Sequence, residues 1–586
     1  MNPTAPTPAL PDLPVVAGIG CRLPGGVRGP EQFSELLRSG CAVTAPVPKD
    51  RWKAMAADLA PGARPARRWS AGLLDEPERA AFDAAYFGIE EAAAAAMDPL
   101  HRLLLETAVE ALADAGIPAS ALAGPRTGIY TGTAAIDAAV REFAPGRSPG
   151  LLEVGGACTG MIGTRLARHL DARGPLLSID TACSASLTAL HYACRDLQDQ
   201  RVDTALVAGL NSVDNAVVTS AFAAGGVLAR VCRPFDARAA GYVRAEGVVV
   251  LVLQRASRAR AAGNPGYCLV AGSVVGGDGA APAAVGAPHA GAQADLVRSA
   301  YTQTGIDPDA VGVVQAHGTG TRAGDRVEAR ALAKVFKRTR QDPLLVCSIK
   351  GAIGHLEGAA GLAGVAATAL ALHHGEVWPT AGHTRPDPVL AKHGLRVPTT
   401  VEPWARTGVR VAGVSAFGFG GTGAHAVLVQ TPDPVPAGSG RQGAAEQAST
   451  AAPTAPHLRP SGEEPIAEEA AASEAAGPVV VPVSAQTPQV LAATAGDWPA
   501  RCARALLCKP WPPPPPTAAT TTPTAPPPSP PPATRPPTRW RPWPAPARTW
   551  EWSAPAPPCA LGRGSSTSSA GTAPTTPPWP PEQPAP

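Results

Sequence analysis

One cysteine and two histidines with the chemistry for acyl transfer each lie in a short motif rich in glycine or alanine. Cys183 lies in DTACSAS, His317 in AHGTGT and His355 in KGAIGHLEGAAG. A thiol is a nucleophile that forms thioesters, and imidazole N–H groups can stabilise the oxyanion of an acyl transfer. A lone cysteine is more often a small buried hydrophobe, and a lone histidine after a strand is more often structural. The three motifs together favour acyl chemistry.

The segment around Cys183 predicts a strand, a turn and a helix. Residues 176–179 form a short apolar run typical of a buried strand, and residues 180–182 turn the chain. Leucines at three- and four-residue spacing then predict a helix from about residue 185, with Cys194 on its apolar stripe as a small buried hydrophobe. Cys183 therefore lies at a helix start, where the macrodipole favours the thiolate by about 0.3–1 kcal/mol.

The other motifs also follow predicted strands. Each candidate group comes after the carboxyl end of a strand, where α/β sheets place their sites. The predicted strands cover residues 15–21, 128–132, 202–208, 311–316, 344–349 and 409–416. The segment 418–423 also fits GxGxxG, but it leads into the strand-like AHAVLV and no acidic residue follows at the required distance, so we reject a dinucleotide site.

Composition limits the class of protein. The 586 residues are 45% hydrophobic, which is ample for a large core, and the net charge of +3 gives no sign of nucleic acid or a membrane surface as partner. The eleven cysteines show no CxxC pair, which argues for reduced thiols in a cytoplasm and against a zinc site. We see neither a signal peptide nor a membrane span, and we expect no metal.

Taken together, the motifs resemble the ketosynthase domain of type I polyketide synthases, in the β-ketoacyl synthase family, over about residues 13–431. The resemblance implies a thiolase-like α/β fold, with an N-terminal half at 13–258 and a C-terminal half at 259–431 in a five-layered αβαβα core. It also implies a decarboxylative Claisen condensation of an acyl thioester, held on Cys183, with a malonyl-type extender in polyketide or fatty acid biosynthesis.

The resemblance also implies a role for each residue that matches the family motifs. His317 and His355 complete a Cys-His-His triad, and Lys350 is the family's active-site lysine. We expect Lys350 to be a buried charge that orients the electrostatics of the site, and the alternative is a solvated cation at a strand end. Thr319 and Thr321 lie where relatives hold the pantetheine arm. Phe419 corresponds to a gating phenylalanine whose backbone N–H, with that of Cys183, forms an acyl oxyanion hole.

The expected partners follow from what the chain lacks. It contains no DSL carrier serine, and its GxSxG string, GRSPG at 146–150, does not follow a predicted strand as an acyltransferase elbow would. We therefore expect an acyl carrier protein that carries phosphopantetheine, an acyltransferase acting in trans and a homodimer, with no cofactor bound by this chain. The alternative is a truncated, non-condensing remnant that acts at most as a dimeric scaffold.

Three positions depart from the family pattern. Ala352 and Gly423 stand where relatives have asparagine, and His101 stands where they have glutamine. Ala352 removes an amide next to His355, which puts the geometry of that loop in question. We expect Gly423 to occupy a loop of positive φ, and His101 to be a surface or core-edge side chain.

Composition changes beyond residue 430. We expect a disordered linker at 432–477, the start of a ketosynthase–acyltransferase linker at 478–506, and a disordered, low-complexity tail at 507–586. The tail is rich in Pro, Ala, Thr and Trp and nearly free of aliphatic side chains. We interpret it as out-of-frame reading of a GC-rich gene.

A chain ending at Gln430 should fold, dimerise and become acylated at least as well as the full chain, with less aggregation. Ordering the tail would cost roughly 1–2 kcal/mol per residue. Its few aliphatic side chains bury too little apolar surface, at ~25 cal/mol per Å², to offset that cost. Size-exclusion chromatography and intact-mass acylation measure this. Loss of dimerisation or acylation in a soluble truncated chain would show that the tail is part of the working structure.

Overall fold

The computed structural model describes residues 12–59, 69–144, 146–339, 341–404 and 408–432. The linkers and tail predicted from residue 432 onward lie outside this part of the chain, apart from residue 432 itself.

Short strands and helices alternate along the described residues. The strands are β1 (Pro14–Leu23), β2 (Val27–Arg28), β3 (Ala45–Pro46), β4 (Ser70–Gly72), β5 (Thr127–Thr133), β6 (Leu176–Ile179), β7 (Thr204–Asn211), β8 (Arg244–Ala245), β9 (Gly247–Arg255), β10 (Cys268–Gly277), β11 (Val311–Gln315), β12 (Leu344–Cys347), β13 (Glu376–Val377), β14 (Leu395–Arg396), β15 (Glu402–Pro403), β16 (Val411–Phe417) and β17 (Thr422–Gln430). The helices are α1 (Pro30–Ser39), α2 (Lys49–Met55), α3 (Glu76–Ala80), α4 (Glu91–Ala95), α5 (Pro99–Asp114), α6 (Asp137–Glu142), α7 (Leu151–Ala157), α8 (Ile162–His169), α9 (Ala185–Gln198), α10 (Ala216–Ala224), α11 (Ala256–Ala261), α12 (Ala290–Thr304), α13 (Arg322–Phe336), α14 (Lys350–Ile353), α15 (Ala360–His374) and α16 (Pro388–Lys392).

The main sheet consists of two halves with the same topology. In the first half the strand order is β6-β5-β7-β9-β1, and in the second it is β12-β11-β16-β17-β10. In each half the two pairs nearest β6 or β12 are parallel and the other two are antiparallel, and β14 adds a further parallel strand beside β12. The two halves meet only briefly, where Val15 pairs with Leu269 and Val16 with Cys268. This internal repeat confirms the predicted thiolase-like fold.

The helices form three layers around these strands. Helices α9 and α15 contact strands of both halves and make the central layer, while α5 and α8 lie against the first half and α12 against the second. Helix α15 is buried on nearly every face, which explains why its sequence is apolar all round and not amphipathic. Within the described residues, none of the helices has the length and apolarity to span a bilayer.

Strand β6 differs from the prediction. The run at 176–179 is a strand, but it is an end strand of the sheet and not a buried one: Leu176 and Leu177 are each 39% exposed. A short apolar run is compatible both with a strand buried inside a sheet and with an edge strand whose apolar side chains pack against another protein surface, so the sequence alone does not distinguish them.

Helix α5 also corrects one expectation. Pro99 begins this helix, and Asp98 caps it by accepting the N–H of Leu100 at 2.8 Å. His101 therefore faces inward with only 3% exposure, and the prediction of a surface or core-edge side chain is wrong. Burial, with a further contribution from the charge of Arg165, lowers the pKa of His101 to about 4.

His101→Gln should make the free energy of unfolding less sensitive to acid. The unfolded imidazole takes up a proton below about pH 6.5, whereas the buried one resists until about pH 4, so stability present above pH 6.5 is lost as the pH falls. At pH 5 the buried imidazole of His101 should lower the free energy of unfolding by about 1–2 kcal/mol relative to pH 7. Urea unfolding of both proteins at pH 7, 6 and 5 measures the difference. Parallel pH profiles would contradict the buried, neutral state of His101.

Candidate active site

The turn before α9 positions Cys183. Ala182 has a φ of 55°, a strained conformation for a residue with a Cβ, and Asp180 accepts its N–H at 2.9 Å. Ser184 lies within 2.9 Å of the carbonyl oxygen of Thr422, which joins the turn to β17. Gly418 also lies against this turn, since a Cβ there would approach the carbonyl oxygen of Thr181 to 2.4 Å. The result is the sharp strand-to-helix turn predicted for a nucleophile.

The surroundings of the Cys183 sulfur oppose its ionisation. Burial and the charge of Glu357 raise the pKa of the thiol to about 12, against the lowering effects of Lys350 and of the backbone N–H groups of Phe419 and Cys183. Desolvation of the thiolate therefore outweighs the favourable effect of the helix dipole. The two N–H groups that face the sulfur are nevertheless those expected to form the acyl oxyanion hole. Cys194 is buried, as predicted.

A buried carboxylate holds the loop of His317. The two oxygens of Glu328, on α13, accept the backbone N–H groups of His317 and Gly318, each at 2.8 Å. Asp325 accepts the N–H of Gly320 at 3.1 Å. Gly318 has a φ of 40°, and a Cβ there would come within 2.8 Å of the Phe235 ring. The loop therefore depends on both acidic side chains and on glycine.

The loop of His355 is held by backbone pairing and by a buried ion pair. The N–H of His355 donates to the carbonyl of Val243 at 2.7 Å, and its own carbonyl accepts the N–H of Ala245 at 2.9 Å. Arg244 contacts the carboxylate of Glu357 at 2.7 and 3.0 Å. Both charged residues are more than 90% buried.

Backbone donors fix the tautomer of both histidines. The Nδ1 atom of His355 accepts the N–H of Glu357 at 3.1 Å, and the Nδ1 atom of His317 accepts the N–H of Phe417 at 3.4 Å. Burial and the charge of Lys350 lower the pKa of both rings well below the usual value, so both are neutral at pH 7. A neutral ring that accepts at Nδ1 carries its proton on Nε2. The site therefore presents two N–H donors.

The structure brings the three predicted groups together. The Cys183 sulfur and a ring nitrogen of each of His317 and His355 all lie within 4.8 Å of one another. The centroids of the two imidazole rings are 5.4 Å apart, and the rings pack edge to face. This spacing would suit a metal ion, but coordination needs a lone pair on nitrogen, and at Nε2 that position is taken by the proton. The arrangement instead suits an anionic oxygen between two donors.

Lys350 lies beside this cluster with only 3% exposure. Desolvation lowers its pKa, and the strongest opposing effect is the charge of Glu328. The predicted alternative of a solvated cation at a strand end is therefore wrong, and the buried position agrees with the other interpretation.

The remaining predicted residues surround the cluster. Thr319 is buried, and its hydroxyl lies 2.9 Å from that of Thr321, which precedes α13. The Phe419 side chain is 61% exposed while its backbone N–H faces Cys183. Sequence reasoning missed Phe417, whose ring packs edge to face on His317 at 5.9 Å, and the acidic residue Glu328. Asp325 and Glu328, three residues apart shortly after AHGTGT, were the pattern from which the role of Glu328 could have been predicted.

The two asparagine departures have different consequences. Ala352 is 3% exposed and lines a cavity behind the loop. Gly423 lies in β17 without a positive φ, so the loop expectation is wrong. A Cβ at Gly423 would come within 2.7 Å of Leu296 and 3.0 Å of Phe417. Glycine at this position allows close packing of the two side chains and does not serve backbone freedom.

A thiolase-like fold with a thiol and two imidazole donors at one site defines a condensing enzyme of the acyltransferase class. Residues 14–259 match the N-terminal domain of β-ketoacyl synthases and residues 267–384 match the C-terminal domain. The chain therefore belongs to the β-ketoacyl synthase family, and the relatives below show that it is a ketosynthase of the polyketide synthase type.

Similar proteins include two of the polypeptides that make up the phenolphthiocerol/phthiocerol polyketide synthase of Mycobacterium tuberculosis. One is 40% identical over 442 residues, which are 73% of this chain and 23% of that protein. Another is 40% identical over 450 residues, which are 75% of this chain and 24% of the relative. The chain thus spans about a quarter of the length of these relatives.

Solved structures of ketosynthases show the same fold. The ketosynthase from module 6 of the bacillaene synthase of Bacillus subtilis 168 is 32% identical with a TM-score of 0.64, and the match covers 72% of each chain. The oxazolomycin ketosynthase domain OzmH KS7 of Streptomyces albus JA3453 is 31% identical with a TM-score of 0.65, over 72% of this chain and 75% of that one.

Alkylation of Cys183 by iodoacetamide should be slow at pH 7 and should still accelerate between about pH 8 and 10, because the thiolate is the reactive form. Peptide mass spectrometry can follow Cys183 beside the exposed thiols of Cys41 and Cys158 in the same protein. Lys350→Met should slow alkylation further, since it removes the cation that lowers the pKa. A rate that levels off below pH 8 would contradict the raised pKa.

Proposed function

We propose that the chain condenses an acyl group held on Cys183 with a malonyl-type extender, and that Cys183, His317 and His355 are the catalytic residues. The observation that carries this proposal is the pair of Nε2–H donors beside the sulfur. Two neutral imidazoles locked as donors suit the stabilisation of an enolate, and they are poorly suited to removing a proton.

The first step loads the enzyme. The Cys183 sulfur attacks the carbonyl carbon of an acyl thioester, and the oxyanion is stabilised by the backbone N–H groups of Cys183 and Phe419. The bond to the carrier sulfur breaks, and the thiol proton of Cys183 ends on the released carrier thiol. Lys350 supports this step because its charge favours the thiolate.

The second step makes the carbon–carbon bond. The malonyl thioester loses CO2, and the electron pair passes into an enolate whose oxygen accepts the Nε2–H groups of His317 and His355. The enolate carbon attacks the acyl carbonyl and expels the Cys183 thiolate, which then takes up one proton. A typical oxyanion donor is worth roughly 3 kcal/mol. The neutral state of both rings matters here, since it needs no proton uptake before reaction.

The substrates would arrive on an acyl carrier protein through its phosphopantetheine arm. Thr319 and Thr321 place two hydroxyls beside the His317 loop, where they can bind the amides of that arm. The exposed ring of Phe419 stands at the Cys183 turn and would act as the gate. The acyltransferase would act in trans, because the one GxSxG string, at residues 146–150, lies between helices α6 and α7 and not at a strand-to-helix elbow.

The exposed end strand β6 is suited to pack against a second copy of the chain. Large apolar side chains are exposed along a connected stretch of α6, α7 and β6, which contact one another in series through residues 159–161. Leu151 is 87% exposed, Phe143 57% and Leu177 39%. An apolar surface beside an open strand edge is typical of an interface. We therefore propose a homodimer through this face.

The rival proposal is a folded, non-condensing scaffold. The intact cluster of Cys183, His317 and His355, with both tautomers fixed, argues against it. The two proposals differ in whether the purified protein forms a β-ketoacyl product.

His317→Ala and His355→Ala should still form the acyl-enzyme but should lose about 10²–10³-fold in condensation, since each removes one enolate donor. Cys183→Ala should abolish acylation, and Cys194→Ala, a buried thiol on α9, should leave it unchanged. Intact-mass acylation and product formation from malonyl carrier protein measure the two steps separately. An equal loss of both steps in the histidine variants, or no product from the wild type, would contradict the proposal.

A further inference from the structure

A small cavity lies behind both histidine loops. Its volume is about 30 Å³, and its walls come from α1, β11, β12, α14, α15 and the segment 377–380, together with Trp404. Among the wall residues, Gln315 is two positions before His317, and Ser348 and Ala352 flank Lys350. The cavity wall therefore includes residues next to the loops of His317 and His355, while Cys183, His317 and His355 themselves do not line it.

Two buried donors on this cavity have no acceptor among the described residues. They are the side-chain amide Nε2 of Gln315 and the indole Nε1 of Trp404. Gln315 is 6% exposed and Trp404 is 8% exposed. An unpaired buried donor costs about 1–3 kcal/mol, so two on one cavity indicate that something in it accepts their hydrogen bonds.

The volume decides the class of ligand. A cavity needs roughly 10–15 Å³ of this kind to hold one water, so 30 Å³ holds about two and excludes any organic ligand. The side chain of Ala352 is too short and apolar to serve as acceptor. The Ser348 hydroxyl donates to the carbonyl of Gly318 at 2.7 Å and accepts the N–H of Lys350 at 3.4 Å, and it makes no hydrogen bond with either unpaired donor.

We propose that this cavity is a hydration site, in which ordered water accepts the N–H groups of Gln315 and Trp404 and fixes the base of the His317 loop. Gln315 and Trp404 are then positioning residues. The water would occupy space that a larger polar side chain at position 352 could fill. Through Gln315 and Trp404 it would link β11 to the segment that follows β15 by hydrogen bonds.

Gln315→Leu and Trp404→Phe test the site in the full chain. Gln315→Leu removes its donor with little change of shape, and Trp404→Phe removes its donor together with part of the indole ring, a loss of volume that Trp378→Phe reproduces as a control. If water fills the cavity, each variant loses a hydrogen bond and the melting temperature falls. The double variant should lose less than the sum, because both donors bind the same small cluster of water in the cavity. A rise in melting temperature in either variant would show a dry cavity with unpaired donors, and additive losses would show that no water is shared. Either result overturns the proposal.

A crystal structure of the full chain provides a direct readout. Water should lie about 2.7–3.2 Å from both Gln315 Nε2 and Trp404 Nε1. A well-ordered cavity in which either donor lacks a water overturns the proposal.

The positioning role has a kinetic test, which rests on the proposed condensation. Both variants should keep acylation of Cys183 but lose about tenfold in condensation, within the 10²-fold that a 1 Å misplacement can cost. Trp378→Phe is the matched control: it removes an indole N–H on the same cavity that donates to Glu376 at 2.8 Å, so it should not separate the two steps. Equal loss of both steps in Gln315→Leu overturns the positioning role. The melting and crystallographic results do not depend on the reaction, so failure of the hydration site and failure of the proposed function are distinguishable.

Discussion

Two backbone N–H groups determine what this site can do. By donating to Nδ1 of His317 and His355, the amides of Phe417 and Glu357 place the proton of each ring on Nε2. Had the same rings faced backbone carbonyls at Nδ1, a cysteine and two imidazoles at this spacing would offer lone pairs and resemble a metal site. The tautomer, more than the residue types, separates an enolate-binding site from a metal-binding site.

This constraint explains why so much charge is buried nearby. A backbone N–H can be held at a fixed position only if the whole loop is fixed, and buried carboxylates do this through Glu328 for one loop and through the Arg244–Glu357 pair for the other. Buried charges are costly unless paired and hydrogen-bonded, and each of these has at least two partners. The Lys350 ammonium and the Glu328 carboxylate lower each other's cost in the same region. The fold thus gives up some stability, through these buried charges, to hold the loops of His317 and His355 in a fixed geometry.

The repeated topology provides the rigid frame for those loops. Cys183 follows β6 in the first half, and the loops of His317 and His355 follow β11 and β12 in the second. The central helices α9 and α15 join the halves, so groups separated by more than 130 positions in the chain lie within 4.8 Å. The brief pairing between β1 and β10 alone would not fix this distance. Packing of the central layer against both sets of strands does so.

The amino-acid sequence by itself determined the family, the two halves and the motifs that carry chemistry, because these depend on local patterns: apolar runs, glycine turns and the strings around Cys183, His317 and His355. It also indicated Lys350 as a buried charge and Cys194 as a core thiol. Only the tertiary structure decided the environment of each group. Desolvation outweighed the helix dipole at Cys183, α5 buried His101, and the sheet order left β6 at an edge. Solvent exclusion and the hydrogen bond from Phe417 to Nδ1 of His317 arise from atoms distant in the chain. At His355 the Nδ1 donor is only two residues away, but the loop that positions it is held by distant backbone partners at Val243 and Ala245. No local pattern encodes these contacts.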